Sequence, residues 1–308
     1  MSLKAGPFKY VGEELIANAI RLAALVAIAG IVLIFLFVLK EAMPVLFDKA
    51  VQQEATVAGY FRGLDWQPVS DLPRYSFWPI ILGTLKVTLI ALLFAVPVAV
   101  GAALYSAEFA PVWLKEAIKP MVEILAGIPS VVLGFFALIF MATFLQKLFG
   151  WHIRLNAVNA GLALGVTVIP PIYSLCEDAI SSVPQSFREA ALGLGATPWQ
   201  TAINVVLPAA LPGVSAAILL GMGRAIGETM VVLMAAGNAP QFTFDLLQST
   251  RTMTATIAAE LGEVVFGSAH YHTLFFLGLL LFAVTFVINL VSWSLFDRLM
   301  AKLYGAKK

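Results

Sequence analysis

The stretch that decides the fold is residues 181–213, SSVPQSFREAALGLGATPWQTAINVVLPAALPG. Ser182-Val183-Pro184-Gln185 fits a capping box, with a hydroxyl at the N-cap and glutamine three residues on. Helix-forming residues follow as far as Gly195, a residue suited to the left-handed position after a helix end. Thr197-Pro198-Trp199-Gln200 fits a second capping box, with proline at the first helical position, and this helix is expected to run to Pro208. The stretch therefore predicts two short helices joined by a glycine turn, neither long enough to cross a bilayer. Phe187, Ala190, Ala191 and Leu194 on the first, then Trp199, Ile203 and Val206 on the second, provide apolar contacts at helical spacing. Such a hairpin either caps the end of a helix bundle or offers a docking knob to another protein.

What surrounds the hairpin is membrane-spanning. Hydrophobic residues make up 60% of the 308 and charged residues 12%, against about 45–50% and about 25% in soluble domains. Mean hydropathy is +0.92. Six stretches reach the roughly 20 apolar residues that a span requires: 18–39, 79–105, 118–145, 156–175, 212–236 and 273–296. The first is no cleaved signal peptide, since its apolar core is too long and Glu13 and Glu14 dilute the leading charge. The expected fold is an all-α integral membrane protein of six transmembrane helices, one transmembrane domain over 1–308. Its parts are a tail, first span and loop (1–78), a core (79–296) with the hairpin loop near 176–211, and a basic tail (297–308). Six spans put both termini on one side, and LMAKLYGAKK favours the cytoplasm for it. A net charge of +1 gives no reason to expect nucleic acid. The single cysteine, Cys176, excludes an intramolecular disulfide and a four-cysteine metal site.

Two charges fall inside spans. Arg224 has twelve residues before it and thirteen after it in PGVSAAILLGMGRAIGETMVVLMAAG, a placement that costs about 2.5–3.5 kcal/mol on insertion scales. Glu228 lies one turn on and is expected to pair with it, although Arg before Glu is the weaker order for helix stability. Either the pair locks two helices, or Arg224 lines a polar path with its guanidinium fork turned to an oxyanion. Gly223 and Gly227 flank the arginine in a G-x-x-x-G frame, which predicts a tight helix interface around it. Gly161 and Gly165 repeat the frame. Lys86, in the second span, either snorkels to the outer face or makes a secondary anion contact, and Arg251 is open in the same way. The third span, 28 residues long, would measure about 42 Å as a straight helix. Ala126-Gly127-Ile128-Pro129-Ser130 is expected to break or kink it, and Ser130 with its freed amides could then meet an anion.

Glu189-Ala190-Ala191, three residues, Gly195, nine residues, then Val205-Val206-Leu207-Pro208 resembles the EAA motif of ABC importer permeases, departing only in valine for isoleucine at 205. The resemblance implies that the loop is cytoplasmic and couples to an ATPase, through Glu189, Ala190, Ala191, Gly195, Leu207 and Pro208. It implies too that both termini are cytoplasmic in a bacterial or archaeal plasma membrane, with loops 40–78 and 237–272 outside. EILAGIPSVVLGFFAL (123–138) and GMGRAIGETMVVLMAAGN (221–238) resemble the permeases of phosphate-specific ABC importers, and LFVLKEAMPVLF (36–47) with residues 66–111 favour the C-type subunit. The implied partners are an A-type permease, two ATPase subunits and an external phosphate-binding protein. The implied substrate path runs by Arg224, Glu228, Ser130 and Lys86.

No Gly-Lys dipeptide occurs, so a Walker A loop is excluded: no cofactor is expected in this chain, and ATP chemistry falls to a partner. Charge alone reaches only "anion", which leaves sulfate and molybdate as alternatives. An enzyme is disfavoured. His152, His270 and His272 fall in outer loops or at span edges, where surface histidines are the default, and His270-x-His272 gives too few ligands for a metal. A secondary transporter would account for Arg224 and Glu228 but leave the hairpin unexplained.

Overall fold

Small residues four apart on two helices set the centre of the bundle. In the computed structural model, which describes residues 7–304, the second span is the helix Trp78–Glu108 and the fourth is Ala157–Ser181. Ala91, Ala95, Ala99 and Ala103 form a fully buried ladder along one face of the second. Against it lie Ala160, Leu164, Val168, Ile172 and Cys176 of the fourth. The G-x-x-x-G frame at 161/165 is a packing device. A Cβ on Gly161 would sit 2.5 Å from Ile90 Cγ2, and one on Gly165 2.7 Å from Phe94 Cδ1.

Among the described residues, six helices are long and apolar enough to cross a membrane. The first (Pro7–Ala42) and sixth (Ala269–Tyr304) run antiparallel at the periphery, with ring contacts Phe35–Phe282 and Phe37–Phe275. Most of the first lies exposed to the surroundings, as suits a helix facing lipid. The tail assigned to 297–308 is helical through Tyr304, and its last residues lie outside the described ones.

The third span differs from expectation. The break at Gly127–Pro129 is present, but only Ser130–Phe149, which contains a π-helical turn, is long and apolar enough to cross. Val112–Ala126 is a separate helix with no buried residue. Lys115, Glu116, Lys119 and Glu123 make it too polar for the bilayer core, and ion pairs from Lys115 and Lys119 to Glu177 fasten it to the end of the fourth span. Lys119 also pairs with Asp178 at 2.9 Å, and hydrogen bonds to Asp178 and Glu177 hold its ammonium well above the usual lysine range.

At the opposite end, residues 44–77 and 236–268 form a cap with its own core of Tyr60, Trp66, Tyr75, Phe77 and Met253. Burial, with the charges of Glu54 and Glu260, pushes the Tyr75 phenol up to about 12. Glu260 ties the cap together. It accepts hydrogen bonds from Trp66 Nε1 at 3.1 Å and from Arg251, and pairs with His270 at 2.9 Å. Arg251 also donates to Asn238. His152 is exposed as expected, but two histidines are not: His270 is held by Glu260, and His272 Nδ1 lies 2.7 Å from the Glu41 carbonyl. Among the described residues no cluster suits a metal ion.

Candidate functional site

The hairpin begins two residues later than its sequence suggests. Ser182 closes the fourth span rather than opening the next helix, and its hydroxyl donates back to the Ala179 carbonyl. Pro184 takes the N-cap place of Gln185–Gly193, without a side-chain bond. The glycine turn is as expected: Gly195 has φ +88°, and Ala196 N–H reaches the Ala191 carbonyl at 3.1 Å, the C-terminal pattern that a left-handed glycine permits. The second capping box is present in both directions, Thr197 Oγ1 accepting from Gln200 N and Gln200 Oε1 from Thr197 N.

The second arm does not stop at Pro208. It runs unbroken from Pro198 to Gly227 as the fifth span. The π-helical turn Ala202–Val206 explains the passage through proline. Widening the ladder there lets the helix bypass the bond that Pro208 cannot donate.

The hairpin presents one face inward and one outward. Ala191, Ala202 and Val206 are buried. Glu189, Ala190, Gly195 and Pro208 are exposed and Leu207 half-buried, while Leu194 is 90% exposed and Phe187 and Trp199 lie largely open. Glu189 has no ion pair among the described residues. Its neighbour Arg188, which no sequence motif singles out, points the other way. Its guanidinium donates to Glu108 from Nη2 at 2.6 Å and from Nε at 3.1 Å, and also to the carbonyls of Val183 and Ile180.

In the membrane, Gly221 packs on Val168 and Ile172, near the midpoint of the fourth span, so Arg224 lies one turn from mid-depth. Its side chain is exposed and makes no ion pair or hydrogen bond with the described residues. The expected pair with Glu228 is not formed, because the helix ends at Gly227 and Glu228 is extended (φ −68°, ψ 133°). The Glu228 carboxylate accepts from Thr229 N, and its carbonyl accepts from Thr254 Oγ1. Nor do Gly223 and Gly227 make a close interface within this chain; a Cβ on either meets nothing within 4 Å.

Ser130 opens the third span after Pro129, half-buried, its hydroxyl unbonded among the described residues. One turn on, Gly134 packs against Met230 and Val231, just past the Gly227–Thr229 break. Lys86 is 6% exposed and does not snorkel. Its ammonium donates to the carbonyls of Thr243 at 3.0 Å and Asp245 at 3.4 Å, holding the irregular segment after Gly237 and Asn238, both of positive φ.

Comparison with known proteins agrees with this geometry. A family model described as the inner membrane component of binding-protein-dependent transport systems matches residues 95–303. The phosphate transport system permease protein PstC of Xylella fastidiosa is 31% identical over 293 residues, 89% of each chain. PstC of Haemophilus influenzae is 36% identical over 246 residues, 74% of this chain and 77% of that one. The probable ABC transporter permease protein YqgH of Bacillus subtilis is 36% identical over 235 residues, 75% of each. Among solved structures, a bacterial ABC transporter involved in import of the acidic polysaccharide alginate superposes with TM-score 0.63 at 16% identity, over 94% of this chain and 98% of that one. The MetNI methionine ABC transporter gives 0.53 at 22% identity, over 74% and 94%. The likeness to these two is one of fold. From the six-helix bundle, its open hairpin and the matched core, this chain belongs to the family of binding-protein-dependent transport system inner membrane components.

Proposed function

We propose that the chain is the C-type permease subunit of an ATP-driven importer of inorganic phosphate. Its hairpin faces the cytoplasm with both termini, and docks on one of two ATPase subunits that carry out the hydrolysis. An external phosphate-binding protein delivers the anion to the capped end, and an A-type permease completes the path. The relatives named for phosphate transport support the substrate.

The observation that carries the reading is Arg224: an exposed guanidinium near mid-depth, with no carboxylate partner among the described residues. An unpaired arginine there is costly unless something anionic meets it. Its planar fork fits an oxyanion. A path formed between two permease subunits leaves such a side chain exposed in one subunit alone. Glu228 beyond the helix end limits how firmly an anion is held, and the unbonded Ser130 hydroxyl offers it a further donor. Lys86 serves the entrance by fixing the outer segment.

The test is phosphate uptake by the complex reconstituted in vesicles, with sulfate and molybdate as competitors. Arg224→Gln is expected to abolish uptake while the complex still assembles. Wild-type uptake by that variant refutes the path through Arg224, and uptake that survives removal of ATP refutes the importer. Stronger competition by sulfate or molybdate than by unlabelled phosphate would reassign the substrate.

A further inference from the structure

Adjacent residues of the hairpin face opposite ways: Glu189 outward, Arg188 into the bundle. The Arg188 guanidinium joins three elements. It grips Glu108, the last residue of the second span, through Nη2 at 2.6 Å and Nε at 3.1 Å. It also donates to the Ile180 carbonyl at the end of the fourth span and to the Val183 carbonyl in the link to the hairpin. Both charged side chains are largely buried, 15% and 9% exposed. The second arm closes on the same place, with the Trp199 ring 5.8 Å from that of Phe109, next to Glu108. Thus both arms converge on two consecutive residues where the second span ends.

We infer that Arg188 is a positioning residue which transmits displacement of the hairpin to the second and fourth spans. Apart from it, the first arm packs chiefly on the second arm around Ala202–Val206, and Val183 in the link supplies an apolar contact to the bundle core, which can slide. A forked, doubly hydrogen-bonded ion pair cannot slide without breaking, so a push on the docking face moves the spans rather than the hairpin alone. Lysine is no substitute, since a point charge reproduces neither the fork nor the simultaneous carbonyl contacts. This inference rests on the proposed docking of the hairpin on an ATPase.

The experiment uses the assembled complex in vesicles and measures two things: whether the ATPase co-purifies, and how much phosphate enters per ATP hydrolysed. Arg188→Gln and Glu108→Gln are expected to keep the ATPase bound while transport per ATP falls at least tenfold. Arg188→Lys, which keeps the charge but loses the fork and the simultaneous carbonyl contacts, is expected to fall with them. If Arg188→Gln fails to assemble, Glu108→Gln carries the same test, because it leaves the two carbonyl contacts in place. A wild-type ratio in either single variant overturns the inference. So does a wild-type ratio in Arg188→Lys. Glu189→Lys separates the underlying reading: if the ATPase still co-purifies with it, docking through the hairpin fails, whatever Arg188 does.

Discussion

The two G-x-x-x-G frames look alike in sequence and should respond oppositely to the same substitution. Alanine at Gly161 places its Cβ 2.5 Å from Ile90 Cγ2, 2.6 Å from Ile90 Cβ and 3.2 Å from the Val87 carbonyl. Carbon pairs settle at about 3.5–4.0 Å, so the spans must part by about 1 Å. Ile90 cannot swing clear, because the nearer contacts are its Cβ and its branch. Overpacking of this kind costs about 1–3 kcal/mol. Alanine at Gly223 meets nothing within 4 Å in this chain. Both substitutions gain about 1 kcal/mol of helix propensity, a term that cancels between them. Gly161→Ala should therefore be less stable than Gly223→Ala by about 1–3 kcal/mol, with Gly223→Ala at or above the unsubstituted chain. The assay is unfolding of the detergent-solubilised single chain by dodecyl sulfate, followed by loss of helical circular dichroism. Equal stability for the two variants would refute the close approach at 161. In the assembled importer Gly223→Ala should instead weaken retention of the second permease, if that subunit covers this face.

Glu260→Gln should loosen the cap by roughly 3–5 kcal/mol, since it leaves Arg251 and His270 without their buried carboxylate, and limited proteolysis of segments 44–77 and 236–268 reads it. Burial pushes the Glu260 carboxyl up, but hydrogen bonds from His270 and Trp66 with the charge of Arg251 outweigh it and leave the group below its usual range. Its stabilisation is therefore complete above the ordinary glutamate value of about 4.3 and lost as pH falls through the lowered one; protease resistance should hold from neutral pH to about 5, fall in stronger acid, and show a weaker dependence in Glu260→Gln. Thr197→Ala removes one half of the capping box at a cost of about 1 kcal/mol, raising amide exchange over residues 197–201 about fivefold. Ser182→Ala, whose hydroxyl only bonds back to Ala179, should leave that exchange unchanged.

Local signals were legible where one segment determines its own geometry. Gly195 and the Thr197 box are of this kind, and so are the six apolar runs and the Gly127–Pro129 break. The same signals misled where a neighbouring helix competes. Ser182-Val183-Pro184-Gln185 has the residues of a capping box, yet the fourth span reaches Ser182 first and uses its hydroxyl on its own last turn. Pro208 reads as a stop, but a π turn upstream removes the need for its missing donor. The site was harder to read because its decisive relations are between distant residues. Arg188 and Glu108 lie 80 positions apart, and no spacing rule connects them. Arg224 and Glu228 stand at helical spacing, yet the helix ends between them. Lys86 finds carbonyls more than 150 positions away, which no reading of a span in isolation can supply.

These relations divide the molecule into a part that must move together and places where it can bend. The second arm and Arg224 belong to one continuous helix, Pro198–Gly227, about 45 Å of rod at 1.5 Å per residue. Arg188 binds the first arm to the second and fourth spans, and Ile90 and Phe94 key those two together at Gly161 and Gly165. Gly213 on Ala179 and Gly221 on Ile172 lock the rod to the fourth span. From the hairpin to Arg224 the contacts thus run through packed helices. The breaks lie elsewhere, at Gly127–Pro129 and at Gly227–Thr229. The segments just beyond them, Ser130–Phe136 and Met230–Ala235, pack on each other through Gly134. Met230–Ala235 is also held to the fourth span, Asn159 Nδ2 donating to the Ala235 carbonyl at 2.9 Å with Val231 and Val232 buried in the same core, and Arg224 sits on the rod one turn before the second break. A displacement of the hairpin carried along this rod would therefore move the arginine with it, without bending the helix that carries it.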